Sequence, residues 1–482
     1  MKKRTSQEFC LSLLGLSVLY RRALSNVVMS LAGDTLAEVS VSLSLCRLFH
    51  YQYSSLSKVV TNISKDVERY KKISGEIVKL QCFYLRDSLE DRIRLITDCT
   101  PIVKRHSDCL SGRQYIAVPN NKILDNKPID VGYLVSSTQL NFSDKWCVPL
   151  SQKRVELANN SLDVGVSQLR DLLKLSLFDK QQLIINTADS AYGTPRFLSP
   201  LYDCNRLVNV VRLRAGMKVC TEDRRTETGG ANHVYGEVYY LNPETQDKIY
   251  TVKGKAYEVH QTSIYDLAPA ETQTIEAQTN KGRAITITLT RWNNLLRRAK
   301  KPFSMKEKPI DLISVSVKDR KTGKPIFKAP LYITISGKQK DAVSTIEAYY
   351  DYYHRFDIEH NFRFQKQHLL LQNYQTPDCQ TFDNWLLVVQ LANTLLFLAA
   401  DEVEHTCQKW QQYNDKPNKS NQRLTPCQTK KAAQNLFCTF DEKPFLPQNS
   451  KKGKGRLKGT TFTHRTPQKV SKKPKLKPQK TG

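Results

Sequence analysis

The chain has 482 residues, with 74 Lys+Arg against 46 Asp+Glu, a formal net charge of +28 and an isoelectric point near 9.5. That charge favours a polyanionic partner bound in a salt-dependent way, a property DNA-binding, RNA-binding and ribosomal proteins share. A hydrophobic content of 40% excludes wholesale disorder, and twelve cysteines without a C-x2-C pair indicate neither a zinc ribbon nor a disulfide framework, leaving reduced thiols in a cytoplasm.

The N-terminus, MKKRTSQEFCLSLLGLSVLYRRALSNVV, superficially has the basic and apolar parts of a secretory signal. Arg21-Arg22 closes the apolar run, which then resumes at helical spacing, so no signal peptide is expected. Residues 1–86 read as helical throughout, with apolar residues three and four apart. Without a clear helix-turn-helix pattern, a DNA-end recognition domain and a helical packing cap stand level.

Periodicity changes at residue 87. RIRLITDCT reads as a strand ending near Asp98, KPIDVGYLVSS and KWCVPLSQKRV as a hairpin, and VSQLRDLLKLSLF as a helix. QLIINTADS is then a strand leading into Asp189, TPRFLSPLYDC a short helix and LVNVVRLR a further strand carrying Arg212 and Arg214. The Gly229-Gly230 pair marks a boundary, and residues 220–340 hold alternating strand-like runs expected to form a β-rich insertion. A helix is predicted over 342–371, followed by an apolar helix with a centre of about a dozen residues, too short for a membrane span. The closing Lys-, Pro- and Gly-rich stretch lacks acidic residues and is expected to be a disordered polyanion-binding arm.

The most informative stretch is YYHRFDIEHNFRFQK, where Tyr352, Arg355, Glu359 and Lys366 stand at spacings Y-x2-R-x3-E-x6-K. At 100° per residue these four and Arg363 fall within an arc of about 80°, so one helical face would carry a carboxylate among cations and a phenol. The plain alternative is a solvated charged face with intrahelical ion pairs. Asp98 after an apolar strand also reads as a turn cap, and Asp189 as a helix N-cap. Trp292, among Arg291, Arg297 and Arg298, is either a core residue or an aromatic on which a flipped base stacks.

In combination these motifs resemble the DDE transposases of the bacterial insertion-sequence superfamily that carries the Y-x2-R-x3-E-x6-K signature. The resemblance spans about residues 87–410. It implies an α/β fold: a ribonuclease H-like mixed sheet with flanking helices, interrupted by a mostly β insertion domain, plus a helical N-terminal region and a disordered basic tail. The expected division is 1–86 helical region, 87–219 first part of the core, 220–340 insertion, 341–410 second part of the core and 411–482 tail. In such a sheet the first and fourth strands are neighbours, so Asp98 and Asp189 would meet at its centre. The resemblance implies that Asp98, Asp189 and Glu359 are catalytic and hold two Mg²⁺ ions, with Mn²⁺ as a substitute. Hard carboxylate oxygens, ionised at neutral pH, suit such ions.

It also implies that Tyr352, Arg355 and Lys366 contact phosphates around the scissile bond, with Arg363, Arg212, Arg214 and Trp292 as further DNA contacts. The implied partners are double-stranded DNA, as terminal inverted repeats and target, and a second copy of the chain in a synaptic dimer, in a bacterial cytoplasm without a membrane partner. Cut-and-paste transposition through a hairpin follows by the same resemblance. A catalytically inactive, transposase-derived DNA-binding protein is the alternative. Phe356 where Trp is common, and Ser190-Ala191 in place of Ala-Gly, depart from the family pattern without removing a carboxylate.

Overall fold

The computed structural model describes residues 4–118, 128–142, 146–175, 182–223, 234–252, 255–279, 282–405, 423–440, 459 and 465–471. The Gly229-Gly230 pair and most of the basic tail lie outside them. The architecture is mixed α/β, with one large mixed sheet and flanking helices.

Helices α1 (Ser6–Ser12), α2 (Arg21–Gly33), α3 (Ser40–Leu43), α4 (Tyr53–Thr61) and α5 (Val67–Leu85) form the N-terminal region. Next come strands β1 (Arg92–Val103), β2 (Gln114–Ala117), β3 (Ile129–Phe142) and β4 (Trp146–Val155), helix α6 (Ser161–Lys174), strand β5 (Leu183–Ala188), helix α7 (Pro195–Leu201) and strand β6 (Leu207–Leu213). Strands β7 (Lys218–Glu222), β8 (Tyr235–Tyr240), β9 (Gln246–Val252), β10 (Lys255–Gln261), β11 (Glu271–Gln278), β12 (Ala284–Leu295), β13 (Ile310–Asp319) and β14 (Leu331–Ser336) make up the strand-rich stretch. The chain then forms α8 (Thr345–Tyr353), α9 (Asp357–His368), α10 (Cys379–Ala399) and α11 (Pro426–Cys438).

The sheet runs β11-β12-β13-β14-β6-β5-β1-β3-β2, with β4 also paired to β3. β1 lies parallel to β5 and antiparallel to β3, so the two strands expected to be central neighbours are paired. Strands β11 to β14 do not build a separate sheet. β14 pairs antiparallel with β6 and carries the others onto the same sheet, while β7-β8 and β9-β10 are two-stranded ribbons.

β1 continues five residues past Asp98, through Pro101, to Val103, so Asp98 lies within a strand and not at its end. The parallel pairing with β5 stops at Thr97. Beyond it β1 is bonded to β3, and a proline needs no ladder partner on the vacated side.

α10 is long and apolar enough to cross a membrane, yet nearly all of it is buried within the protein. The N-terminal helices pack around it as a cap: Asn384 Nδ2 donates to the carbonyls of Val60 and Ser64, and Gln81 Nε2 to Thr394 Oγ1 and the carbonyl of Pro149. Two parts of the region expected to be a tail are ordered. α11 buries Ala433 and Phe437, and residues 465–471 run beside the loop before β2, where the Gln468 and Ser471 amides donate to the carbonyls of Asp108 and Arg113.

Candidate active site

Alternation along β1 puts Arg92, Arg94, Ile96 and Asp98 on one face of the sheet. α8 and α9 cover that face. Arg92 pairs with Glu347 at 2.9 Å and Arg94 with Asp351 at 2.7 Å. The spacings match: four residues of helix rise about 6 Å and two residues of strand about 6.6 Å. Ile96 then packs with Ile358, Phe362 and Cys147.

The signature segment is not one continuous helix. Residues 354–356 form a tight 3-10 turn between α8 and α9, and Asn141 Nδ2 of β3 donates to the His354 carbonyl at 3.2 Å. A single helical arc therefore does not describe the five residues. Tyr352 and Arg355 are buried, Glu359 is 53% exposed at its side chain, Arg363 is exposed and Lys366 is half-buried.

The register aligns Thr97 with Ala188, so Asp98 and Asp189 stand level, one residue past the last parallel pair. The Asp98 carboxyl is pushed up to about 7, first by burial and next by the Asp189 charge, with the Cys99 amide and Arg355 pulling the other way. Arg355 Nη1 lies 3.5 Å from Asp98 Oδ2, and Nη2 donates to Glu359 Oε1 at 3.1 Å. The guanidinium therefore bridges the sheet carboxylate and the helix carboxylate, and among the described residues its buried Nε has no partner. Tyr352 and Phe356 lie under it, with ring centroids 5.8 and 4.5 Å from Cζ.

Among the described residues no three His, Cys, Asp or Glu side chains form a ready-made metal cage. The donor chemistry still suits a divalent cation. Burial, and next the Asp189 charge, favour a proton on Asp98 up to neutral pH, and all three carboxylates offer hard oxygen.

Asp189 opens a turn in which its Oδ1 accepts the Ala191 amide at 2.8 Å and its carbonyl the Tyr192 amide at 3.1 Å. Tyr192 is buried, and its hydroxyl lies 3.2 Å from Cys99 Sγ in the strand that carries Asp98. A Cβ at Gly193 would come within 2.4 Å of the Arg212 carbonyl, so glycine lets the turn sit on β6. Arg212 and Arg214 are exposed on and just after β6.

Trp292 is corrected from a DNA contact to a core residue. It is 2% exposed, its indole Nε1 donates to the Leu267 carbonyl at 2.9 Å, and Tyr265 meets it edge to face, so neither ring face is free for a base.

The anchoring residues were not anticipated. Arg92 and Arg94 at i, i+2 facing Glu347 and Asp351 at i, i+4 were a readable signal. The buried amides were not: Asn361 Nδ2 donates to Gln139 Oε1 at 2.6 Å, Asn393 Nδ2 to Asn361 Oδ1 at 2.8 Å and Gln152 Nε2 to Gln365 Oε1 at 2.8 Å, tying α9 to β3, β4 and α10.

No protein-family model matches the chain, and no curated protein does. Among solved structures it is similar to a piggyBac transposase synaptic complex with hairpin DNA, at 9% identity and a TM-score of 0.37, over 90% of this chain and 70% of that one. A likeness at that level does not decide the fold.

Proposed function

We propose that this chain is a DDE transposase with a ribonuclease H-like core, cutting and transferring DNA strands at the ends of its own mobile element. The observation that carries the reading is the level placement of Asp98 and Asp189 on paired parallel strands, with Arg355 linking Asp98 to Glu359. Arg355 thus meets the strand carboxylate and the helix carboxylate, and Asp189 stands level with Asp98 on the neighbouring strand end. Bound to Asp98, Asp189 and Glu359, two Mg²⁺ or Mn²⁺ ions would neutralise the carboxylates and supply a nucleophilic hydroxide at neutral pH.

The chain's own residues do the rest. Arg355, held over the Phe356 ring and, among the described residues, with Nε unspent, can offer a planar fork to a phosphate. Tyr352 adds a neutral hydrogen bond, and Lys366, Arg363, Arg212 and Arg214 add positive charge along the duplex. In the proposed course water cuts one strand, the freed 3′-hydroxyl attacks the opposite strand to give a hairpin, and after resolution the same end attacks target DNA. Two copies would hold two ends together.

The Arg355 bridge also favours a second reading, a chain that binds ends without cutting them, because the guanidinium satisfies two of the three carboxylates. The experiment is cleavage of a labelled duplex bearing the gene's own flanking ends, in Mg²⁺ at fixed salt, by the wild type and Glu359→Ala. Cutting at the element boundary that is lost in the variant supports the transposase; end binding with no cutting by either protein supports the second reading.

A further inference from the structure

We propose that Arg297 is a positioning residue for Asp189, holding the turn after β5 from the strand-rich region. Its place is fixed by backbone pairing. Leu296, beside it, exchanges both backbone hydrogen bonds with Cys220 of β7, at 2.7 and 2.8 Å. The Arg297 side chain is 6% exposed, Nη1 donates to the Gly193 carbonyl at 2.7 Å, and Nη2 lies 3.9 Å from Met217 Sδ. Among the described residues no carboxylate pairs with it, and burial pulls its pKa down to about 10.

A buried charge without a counter-ion costs stability, so packing alone would favour an apolar side chain here. Among the described residues, the one strong interaction the guanidinium makes is with the turn. That turn is Asp189 to Thr194, closed by the Ala191 and Tyr192 amides on Asp189, tied to β1 through Tyr192 and Cys99, and seated on β6 at Gly193. Arg297 closes the remaining side. A carboxylate on a turn keeps its place beside a strand carboxylate only while the turn holds one conformation. The strand-rich region therefore takes part in the site without touching a reacting atom.

The effect on cleavage rests on the transposase reading; the effect on the turn does not. The test compares full-length wild type, Arg297→Met and Arg297→Lys by amide hydrogen exchange, melting temperature, affinity for a duplex bearing the element ends, and single-turnover cleavage in Mg²⁺. In Arg297→Met the expected result is a melting temperature close to wild type, relief of the buried charge offsetting the lost donor to the Gly193 carbonyl. Exchange at Ala191 and Tyr192 becomes about tenfold faster, end affinity stays within about twofold, and cleavage falls about tenfold or more. Arg297→Lys, which keeps a donor for the Gly193 carbonyl, restores much of the protection and rate.

Unchanged exchange at those two amides in Arg297→Met overturns the proposal, as does a lysine variant no better than methionine. A lowered melting temperature with faster exchange across the whole sheet also overturns it, since that marks a packing role. Should the wild type not cleave while the two amides respond as described, the transposase reading fails and the positioning role stands.

Discussion

Asp98 and Asp189 are placed by backbone pairing, whereas Glu359 is placed by side chains. The first two owe their level position to six aligned residues of β1 and β5, and a one-residue slip would turn each side chain to the opposite face. Glu359 rides on α9, whose position depends on Arg92 and Arg94 holding α8, on Asn361 and Gln365 holding α9, and on Arg355. Damage to the strands therefore destroys the site with the fold. Damage to the helix anchors moves one carboxylate relative to two that stay put.

The largest effect tests the strand half. Asp189→Asn keeps the acceptor for the Ala191 amide and removes the charge that repels Asp98. Metal-dependent cleavage is expected to fall by on the order of a thousandfold, roughly 4 kcal/mol of transition-state stabilisation. Melting temperature should hold or rise, because relieving a like-charge contact favours the folded state. Thermal unfolding beside single-turnover cleavage checks both, and a variant that cuts normally removes Asp189 from the mechanism.

Next comes the joint between the strand-rich region and α8. Asp311 is fully buried between Arg291 Nη2 at 2.6 Å and Lys340 Nζ at 2.9 Å, and Arg291 Nη1 also donates to the Val343 carbonyl just before α8. Asp311→Ala leaves buried Arg291 without its carboxylate and Lys340 with only the exposed Asp341, and should cost roughly 3–5 kcal/mol in denaturant unfolding. A triple exchange of Arg291, Asp311 and Lys340 for apolar residues of similar size should recover most of that. If the triple variant is as stable as wild type and cuts poorly, the cluster orients α8.

What was legible in the sequence follows the same division. Apolar runs and alternation marked β1, β3 to β6 and α6, since each is a local signal. The pairing of β1 with β5 came from the resemblance alone, because nothing local couples residues 91 apart. The turn at 354–356 carries no Gly or Pro, and the side chain that donates to its His354 carbonyl, Asn141, is 213 residues away. The β14–β6 pairing that fuses the strand-rich stretch to the central sheet is equally non-local. Trp292 was misleading because its arginine neighbours suggested a surface, yet Arg291 is buried on Asp311 and Arg297 on Gly193.

The amide ties on α9 give a smaller, graded test of the helix half. Asn361→Leu leaves Gln139 Oε1 without its donor and Asn393 Nδ2 without its acceptor, which should cost roughly 1–3 kcal/mol. In a double-mutant cycle with Gln139→Leu, the two substitutions should be clearly less than additive, since they remove one shared bond. End affinity should hold while cleavage slows, because Glu359 shifts and the cations proposed to bind phosphate remain. Additive losses would mean that the Gln139 tie does not set the position of α9.

Lys366 supplies the pH test. Burial pulls its pKa down to about 8, so it is charged at pH 7 and largely neutral at pH 9 in the free protein. Contact with a phosphate favours the charged form, and binding above pH 8 must therefore be accompanied by proton uptake. End affinity should fall between pH 8 and 9 by up to about tenfold per unit, beyond the decline of a variant without this group. Arg363 lies in the same segment and is exposed, and an arginine keeps its charge over this range, so the loss belongs to the lysine. Lys366→Arg should flatten the profile while keeping affinity at pH 7, and Lys366→Met should flatten it at lower affinity. A wild-type profile that both substitutions leave unaltered would place Lys366 outside the proposed DNA-contacting face, leaving Arg355 as that face's buried cation.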